Sequence, residues 1–298
     1  MNSIEKALQK QNQKVSDQKK EPELQKMSES KAVPQQNSVE KALQKQAETK
    51  GNNIASSIQI DFELLEQKGF VSTNSQRQLI NEEYRAIKRK LLDNAFGPLS
   101  KSLNNSNIIM VTSSRPGEGK TFTAINLALS IALEKDKTVL LVDADVLRPN
   151  VMKTLELKNT EGLMEYLLGE CEDISEVMYK TNLDNLRIIP AGKSHHLSTE
   201  LLASEKMFAA VEEFANRYTD RVVIVDTPPL LGINETAILA NLAGQALVVT
   251  EESKTKLVDV EHAVKQLNPD MAIGFIVNKS EKVTSDGSGY GYYYAGSN

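Results

Sequence analysis

Ile108-Ile-Met-Val-Thr-Ser-Ser-Arg-Pro-Gly-Glu-Gly-Lys-Thr-Phe-Thr-Ala-Ile-Asn-Leu-Ala128 is the stretch on which the fold turns. It runs from an apolar strand (Ile108–Thr112) through a glycine-rich turn into a helical pattern that starts at Lys120. That order is the context in which such a turn binds phosphate. Gly117 and Gly119 present backbone N–H groups with no Cβ in the way, and the helix N-terminus adds positive potential. Lys120 is placed to reach the β/γ-phosphates of a nucleotide, and the Thr121 hydroxyl to ligate Mg²⁺. Ser114 stands where the strict pattern has its first glycine.

Outward from this loop, short apolar runs alternate with helical patterns. The predicted strands are Ile108–Thr112, Val139–Val142, Leu186–Ile189, Val222–Val225, Ala246–Thr250 and Ala272–Val277. The predicted helices are Gln76–Phe96, Lys120–Glu134, Leu163–Leu168, Ser204–Tyr218, Glu235–Leu242 and Val258–Leu267. Runs apolar at every position suit strands buried on both faces, so the pattern predicts an α/β fold with a doubly wound, mostly parallel sheet. Two strands end in acid: Val139-Leu-Leu-Val-Asp-Ala-Asp145 supplies Asp143 and Asp145, and Val222-Val-Ile-Val-Asp226 supplies Asp226. Carboxylates at the C-terminal edge of such a sheet lie where its ligands bind, and three together call for a cation, which suits Mg²⁺.

The chain has 298 residues, 40% of them apolar, enough for one sizeable core with residues left over for tails. A net charge of −5 argues against a nucleic-acid partner. The single cysteine, Cys171, excludes an internal disulfide and fits a reducing compartment. No run of 18 apolar residues occurs and no signal-peptide pattern opens the chain, so the expectation is a cytoplasmic protein with any membrane role mediated by a partner. His195 and His196 are adjacent on a polar stretch, and His262 lies in a helical pattern; none has a convincing zinc partner.

Three regions follow. Residues 1–57 form a polar arm that is expected to be largely disordered. Within it Asn2-Ser-Ile-Glu-Lys-Ala-Leu-Gln-Lys-Gln11 recurs as Asn37-Ser-Val-Glu-Lys-Ala-Leu-Gln-Lys-Gln46, a short helix present twice and a candidate docking element. Residues 58–282 form the phosphate-loop domain. Residues 283–298 form a Gly/Ser/Tyr tail in which Gly289-Tyr-Gly-Tyr-Tyr-Tyr294 offers four phenols, Tyr290, Tyr292, Tyr293 and Tyr294.

The set Ser113–Thr121, Asp143–Asp145, Asp226–Pro229 and the tyrosine tail resembles the bacterial tyrosine autokinases, relatives of the partition-type ATPases. The stretches Val142–Pro149, Leu186–Gly192, Glu200–Glu205 and Glu82–Arg89 look most like the autokinases associated with exosortase-linked exopolysaccharide operons. The resemblance implies an ATP- and Mg²⁺-dependent protein-tyrosine kinase that phosphorylates its own tail tyrosines, between neighbouring subunits, in the control of exopolysaccharide synthesis or export. It implies Lys120, Asp143, Asp145 and Asp226 as the catalytic group, with Asp143 accepting the phenolic proton. Pro116, Gly117, Glu118, Gly119, Lys120, Thr121, Phe122 and Asn278 would hold the nucleotide, with Asn278 reading adenine. Thr121, Asp145 and Asp226 would hold the metal. Glu82, Arg85 and Lys88 match an oligomerisation motif whose last arginine is here a lysine. Implied partners are a membrane-bound co-polymerase-type activator that recruits the chain to the inner face of the membrane, a phosphotyrosine phosphatase and further copies of the chain. The rivals are a non-kinase ATP switch of the partition type and a structural adaptor with an adhesive tail.

Overall fold

The computed structural model describes residues 57–72 and 78–280. The duplicated arm segment and the four tail tyrosines lie outside the described residues.

Eight strands form one sheet: β1 (Ser57–Ile58), β2 (Ile108–Ser113), β3 (Thr138–Asp143), β4 (Tyr179–Thr181), β5 (Leu186–Ile189), β6 (Arg221–Asp226), β7 (Gln245–Glu251) and β8 (Ala272–Asn278). Their order is β1-β4-β5-β3-β6-β2-β7-β8, and every pair is parallel except β4 with β5. The helices are α1 (Phe62–Gln67), α2 (Leu79–Phe96), α3 (Lys120–Ala132), α4 (Val151–Thr154), α5 (Leu163–Leu168), α6 (Ser198–Leu202), α7 (Glu205–Asn216), α8 (Asn234–Ala240) and α9 (Leu257–Val264). All six expected strands and six expected helices are present, with ends displaced by up to three residues. β1 begins at Ser57, one residue before the expected domain boundary.

Successive side chains of a strand point to opposite faces, and here both faces are covered. Ile108, Met110, Leu140 and Val142 enter one core, with α5 and α7, while Ile109, Val111, Val139 and Leu141 enter the other, with α2 and α3. This double burial is why the central strands read as unbroken apolar runs. α3 is buried along nearly its whole length because the sheet lies on one side and α2 on the other. α2 turns Tyr84, Lys88, Leu91 and Ala95 inward, spaced by four, three and four residues as one helical face requires.

The consecutive strands β2 and β3 are separated in the sheet by β6. The chain therefore reverses direction along the sheet at this place, and a crevice opens beyond the strands' C-terminal ends. β2, β6 and β3 end there side by side. Asp143 pairs in register with Asp226, and Asp226 with Val111 two residues before the phosphate loop begins. Two motifs more than eighty residues apart in the chain are thus brought together by parallel pairing alone.

Candidate active site

The loop between β2 and α3 is held from behind. Gly117 (φ +89°) and Gly119 (φ +102°) occupy the left-handed region that lets the loop fold around a phosphate. Glu118 turns its carboxylate inward, accepting from the Arg115 backbone N–H at 2.8 Å and from the Thr255 hydroxyl. The Arg115 guanidinium binds Asp259 of α9 through two hydrogen bonds, 2.7 and 2.9 Å. From the end of β8, Asn278 Nδ2 donates to the Glu118 carbonyl at 2.9 Å, and Lys279 Nζ donates to the Gly117 carbonyl at 2.7 Å. With these carbonyls and side chains bound outside, and the Arg115 N–H taken up by Glu118, the N–H groups that follow Arg115 are left for a ligand.

Inside the loop, Lys120 Nζ contacts Asp145 Oδ2 at 2.6 Å and lies 4.0 Å from Asp226 Oδ1. Thr121 Oγ1 donates to Asp226 Oδ2 at 2.7 Å. Asp226 Oδ1 is buried without a hydrogen-bond partner. Asp143 accepts from the Asp145 N–H on Oδ1 and from the Asn150 and Val151 N–H groups on Oδ2, at 3.0–3.2 Å. Pro116, Gly117, Lys120 and Asp145 form one side of a cavity of about 560 Å³, and Leu147, Arg148 and Lys153 lie on its lining with Pro229, Leu231 and Ile233.

Residues 106–271 match the family model of the AAA domain. The tyrosine-protein kinase YwqD of Bacillus subtilis is 32% identical over 229 residues, which are 76% of this chain and 92% of that protein. The chain belongs to the bacterial tyrosine-protein kinases. The solved kinase domain of the Escherichia coli tyrosine kinase ETK superposes with a TM-score of 0.61 at 27% identity, over 83% of this chain and 98% of that one. The tyrosine-protein kinase wzc of Salmonella typhimurium is 32% identical over 190 residues, 63% of this chain but only 26% of its own length. The kinase thus spans nearly all of YwqD and about a quarter of the longer relative.

In the kinase, burial and neighbouring charge set the protonation of these groups. Burial, then the Asp226 charge, raises Asp143 above the usual carboxylate range. Burial likewise raises Asp226, against the pull of Lys120 and the Thr121 hydroxyl. Burial alone would lower Lys120, but Asp226 and Asp145 outweigh it and hold the ammonium charged. The Lys120 side chain is only 12% exposed. The lysine expected to reach the β/γ-phosphates is therefore also the counter-ion of a buried acidic pair.

Of the sequence-predicted nucleotide residues, Pro116, Gly117 and Lys120 line the cavity. Glu118 and Phe122 do not. Glu118 is taken up by Arg115 and Thr255, and the Phe122 ring packs on Phe70 at 4.7 Å between centroids. Gly119 adjoins Asn278, whose side chain supports the loop from outside.

The oligomerisation set divides between the surface and the interior of α2. Glu82 and Arg85 are exposed on α2 and pair with each other. Lys88 is buried, donating to the Ser130 carbonyl at 2.7 Å and pairing with Glu134 at 2.6 Å. At 100° per residue, position 88 lies about 120° round the helix from position 82, whereas 89 returns to within about 20° of it. Arg89 shares the exposed face of Glu82 and Arg85; Lys88 belongs to the interior.

His195 and His196 stack at 4.3 Å on the loop before α6, and no trio of His, Cys, Asp or Glu among the described residues is arranged around one metal. The residues that sequence reading missed are Arg115, Thr255, Asp259 and Lys279. No local pattern marks their roles: Thr255, Asp259 and Lys279 meet the loop only through tertiary contact, and Arg115, though within the loop, finds its partner Asp259 144 residues away.

Proposed function

We propose that this kinase transfers the terminal phosphoryl group of ATP to its own tail tyrosines, Tyr290, Tyr292, Tyr293 and Tyr294, between neighbouring copies. The supporting observation is the convergence of Lys120, Thr121, Asp145 and Asp226 at a cavity beside a braced phosphate loop, in a chain whose tyrosine cluster follows soon after β8. The nine residues 281–289 span at most about 30 Å, a reach that permits transfer in cis as well as in trans.

Asp226 fits a Mg²⁺ ligand: its Oδ1 is buried and unpartnered, and Thr121 Oγ1 is already on its other oxygen. Mg²⁺ keeps several waters and needs only one or two protein oxygens, so convergence of three carboxylates is not required. When bound, the cation neutralises charge on the phosphates. Lys120 leaves Asp145 for the β/γ-phosphates, and the loop N–H groups orient them. The phenolic oxygen forms the new bond to phosphorus, the bond to the β-phosphate oxygen breaks, and ADP leaves.

The phenolic proton goes to a carboxylate, because a phenol of pKa about 10 is a weak nucleophile at neutral pH. Asp143 suits this chemically, since burial raises its proton affinity. A second reading has its own observation: Asp145 lines the cavity, whereas Asp143 is fully buried with both oxygens on backbone N–H groups. In that reading Asp143 positions the loop that holds Asp145.

The role in exopolysaccharide synthesis or export, the membrane-bound activator with recruitment to the membrane's inner face, and the opposing phosphatase follow from kinship and belong to this proposal. No helix among the described residues is long and apolar enough to cross a membrane, consistent with recruitment by a partner. Intact mass measurement after incubation with Mg-ATP tests the core of it. Up to four phosphates should appear, and none after replacement of the four tyrosines by Phe. ATP turnover without phosphotyrosine would instead indicate a partition-type switch.

A further inference from the structure

The cavity beside the phosphate loop extends well past Lys120 and Asp145. Its far wall is the segment between β3 and α4, where Leu147, Arg148 and Pro149 are followed by Lys153. A second cleft shares Pro149 and Lys153 and runs on to Lys193. Among the described residues, the charged ends of Arg148, Lys153 and Lys193 have no hydrogen bond or ion pair; the bonds these residues make run through their backbones, the Arg148 and Lys193 N–H groups and the Lys153 carbonyl among them. The other cations near the site are matched: Lys120 with Asp145, Arg115 with Asp259, Lys279 with Glu251. The one carboxylate in the second cleft, Glu156, is paired with Lys68. The acceptor side of the cavity therefore combines an apolar lining for an aromatic ring with positive charge that lacks a counter-ion.

The ATP phosphates are accounted for by the loop and Lys120, so this charge awaits a different anion. The tyrosine segment of the proposed substrate carries no acidic side chain before reaction: residues 287–298 include four tyrosines and no Asp or Glu, and the nearest acid, Asp286, precedes Tyr290 by four residues. The anions that arise there are the phosphates the kinase itself adds. In an extended segment, side chains two residues apart share a face at roughly 7 Å, the relation of Tyr290, Tyr292 and Tyr294. A phosphorylated ring on that face can rest against the cationic wall while the next phenol approaches Asp145.

We infer that Arg148 and Lys153 form a phosphotyrosine subsite on the acceptor side, so that each phosphate added holds the tail for the next transfer. This rests on the tail being the substrate. Each phosphate brings three acceptor oxygens and a charge of roughly −1.5 to −2, which a guanidinium binds through paired hydrogen bonds.

The test uses the full chain with its four tail tyrosines replaced by Phe, so that its own tail does not compete. Peptides covering residues 287–296 are supplied unmodified or with phosphotyrosine at one position, with Mg-ATP. The primed peptide should show kcat/KM about tenfold higher, the scale of one added charge-assisted contact. In the Arg148→Gln/Lys153→Gln protein that ratio should fall to about one. The subsite is refuted if priming has no effect on the parent protein, or if the ratio survives in the double variant. It is equally refuted if the double variant loses ATP affinity by the same factor, which would place the cations on the nucleotide. If neither peptide is phosphorylated while a random tyrosine-containing polymer is, the tail reading itself fails and the subsite falls with it.

Discussion

The side chain of Asn278 occupies the space a Cβ on Gly119 would need: its Nδ2 lies 1.9 Å from that position. Gly119 also has φ +102°, which other residues rarely adopt. Gly119→Ala should therefore displace the loop and weaken ADP binding at least tenfold by calorimetry. Asn278→Ala in the same protein should not restore it, because the backbone strain persists when the clash is gone. Full restoration would show that the clash alone fixes this position.

Lys120→Met should remove phosphotyrosine formation and also destabilise the nucleotide-free protein. It leaves the carboxylates of Asp145 and Asp226 buried without their cation, a loss of about 3 kcal/mol for a broken buried pair. Thermal unfolding of the nucleotide-free variant checks this. An unchanged melting temperature would mean that Asp145 turns to solvent when the lysine is lost.

The raised proton affinity of Asp143 has a definite sign in stability. Its folded pKa lies above the value of about 3.9 in the unfolded chain, so the folded state binds more protons in that interval. The stabilising contribution is present below about pH 4 and is lost as pH rises through the folded pKa. The metal-free kinase should lose stability between mildly acidic and neutral pH, and Asp143→Asn should flatten that slope. Denaturant unfolding at several pH values gives both slopes, and parallel slopes would refute the assignment.

The two proton-acceptor readings separate by kinetics. If Asp143 accepts the proton, Asp143→Asn should lower kcat at least 100-fold with ATP affinity changed less than threefold. If Asp145 accepts it, Asp145→Asn shows that pattern instead, and Asp143→Asn lowers kcat and ATP affinity together by loosening the β3–α4 segment.

Lys88→Met should cost about 1–2 kcal/mol, through the unpaired Ser130 carbonyl and the lost pair with Glu134. Arg85→Ala and Arg89→Ala, on the exposed face, should change stability by less than about 0.5 kcal/mol. If α2 mediates self-association, light scattering should show the effect in the arginine variants of that face, while Lys88→Met keeps the parent's size.

The sequence by itself determined the central strands, the phosphate loop and the acids at the strand ends. Each depends on local chemistry: doubly buried strands need apolar residues at every position, and a phosphate turn needs glycines before a lysine. Only the tertiary structure decided the short strands β1 and β4 at one end of the sheet, since two or three residues have no readable period and β4 is defined by its antiparallel partner Leu186–Ile189. It alone decided what braces the loop. Arg115 meets Asp259 across 144 residues, Glu118 meets Thr255 across 137, and Lys279 meets Gly117 across 162. It also decided that Lys88 lies in the interior while Glu82 and Arg85 are exposed, because α2 packs on α3 with the Lys88 face. Such contacts arise from the order in which parallel strands pair, and side chains that meet only across a sheet edge leave no pattern along the chain.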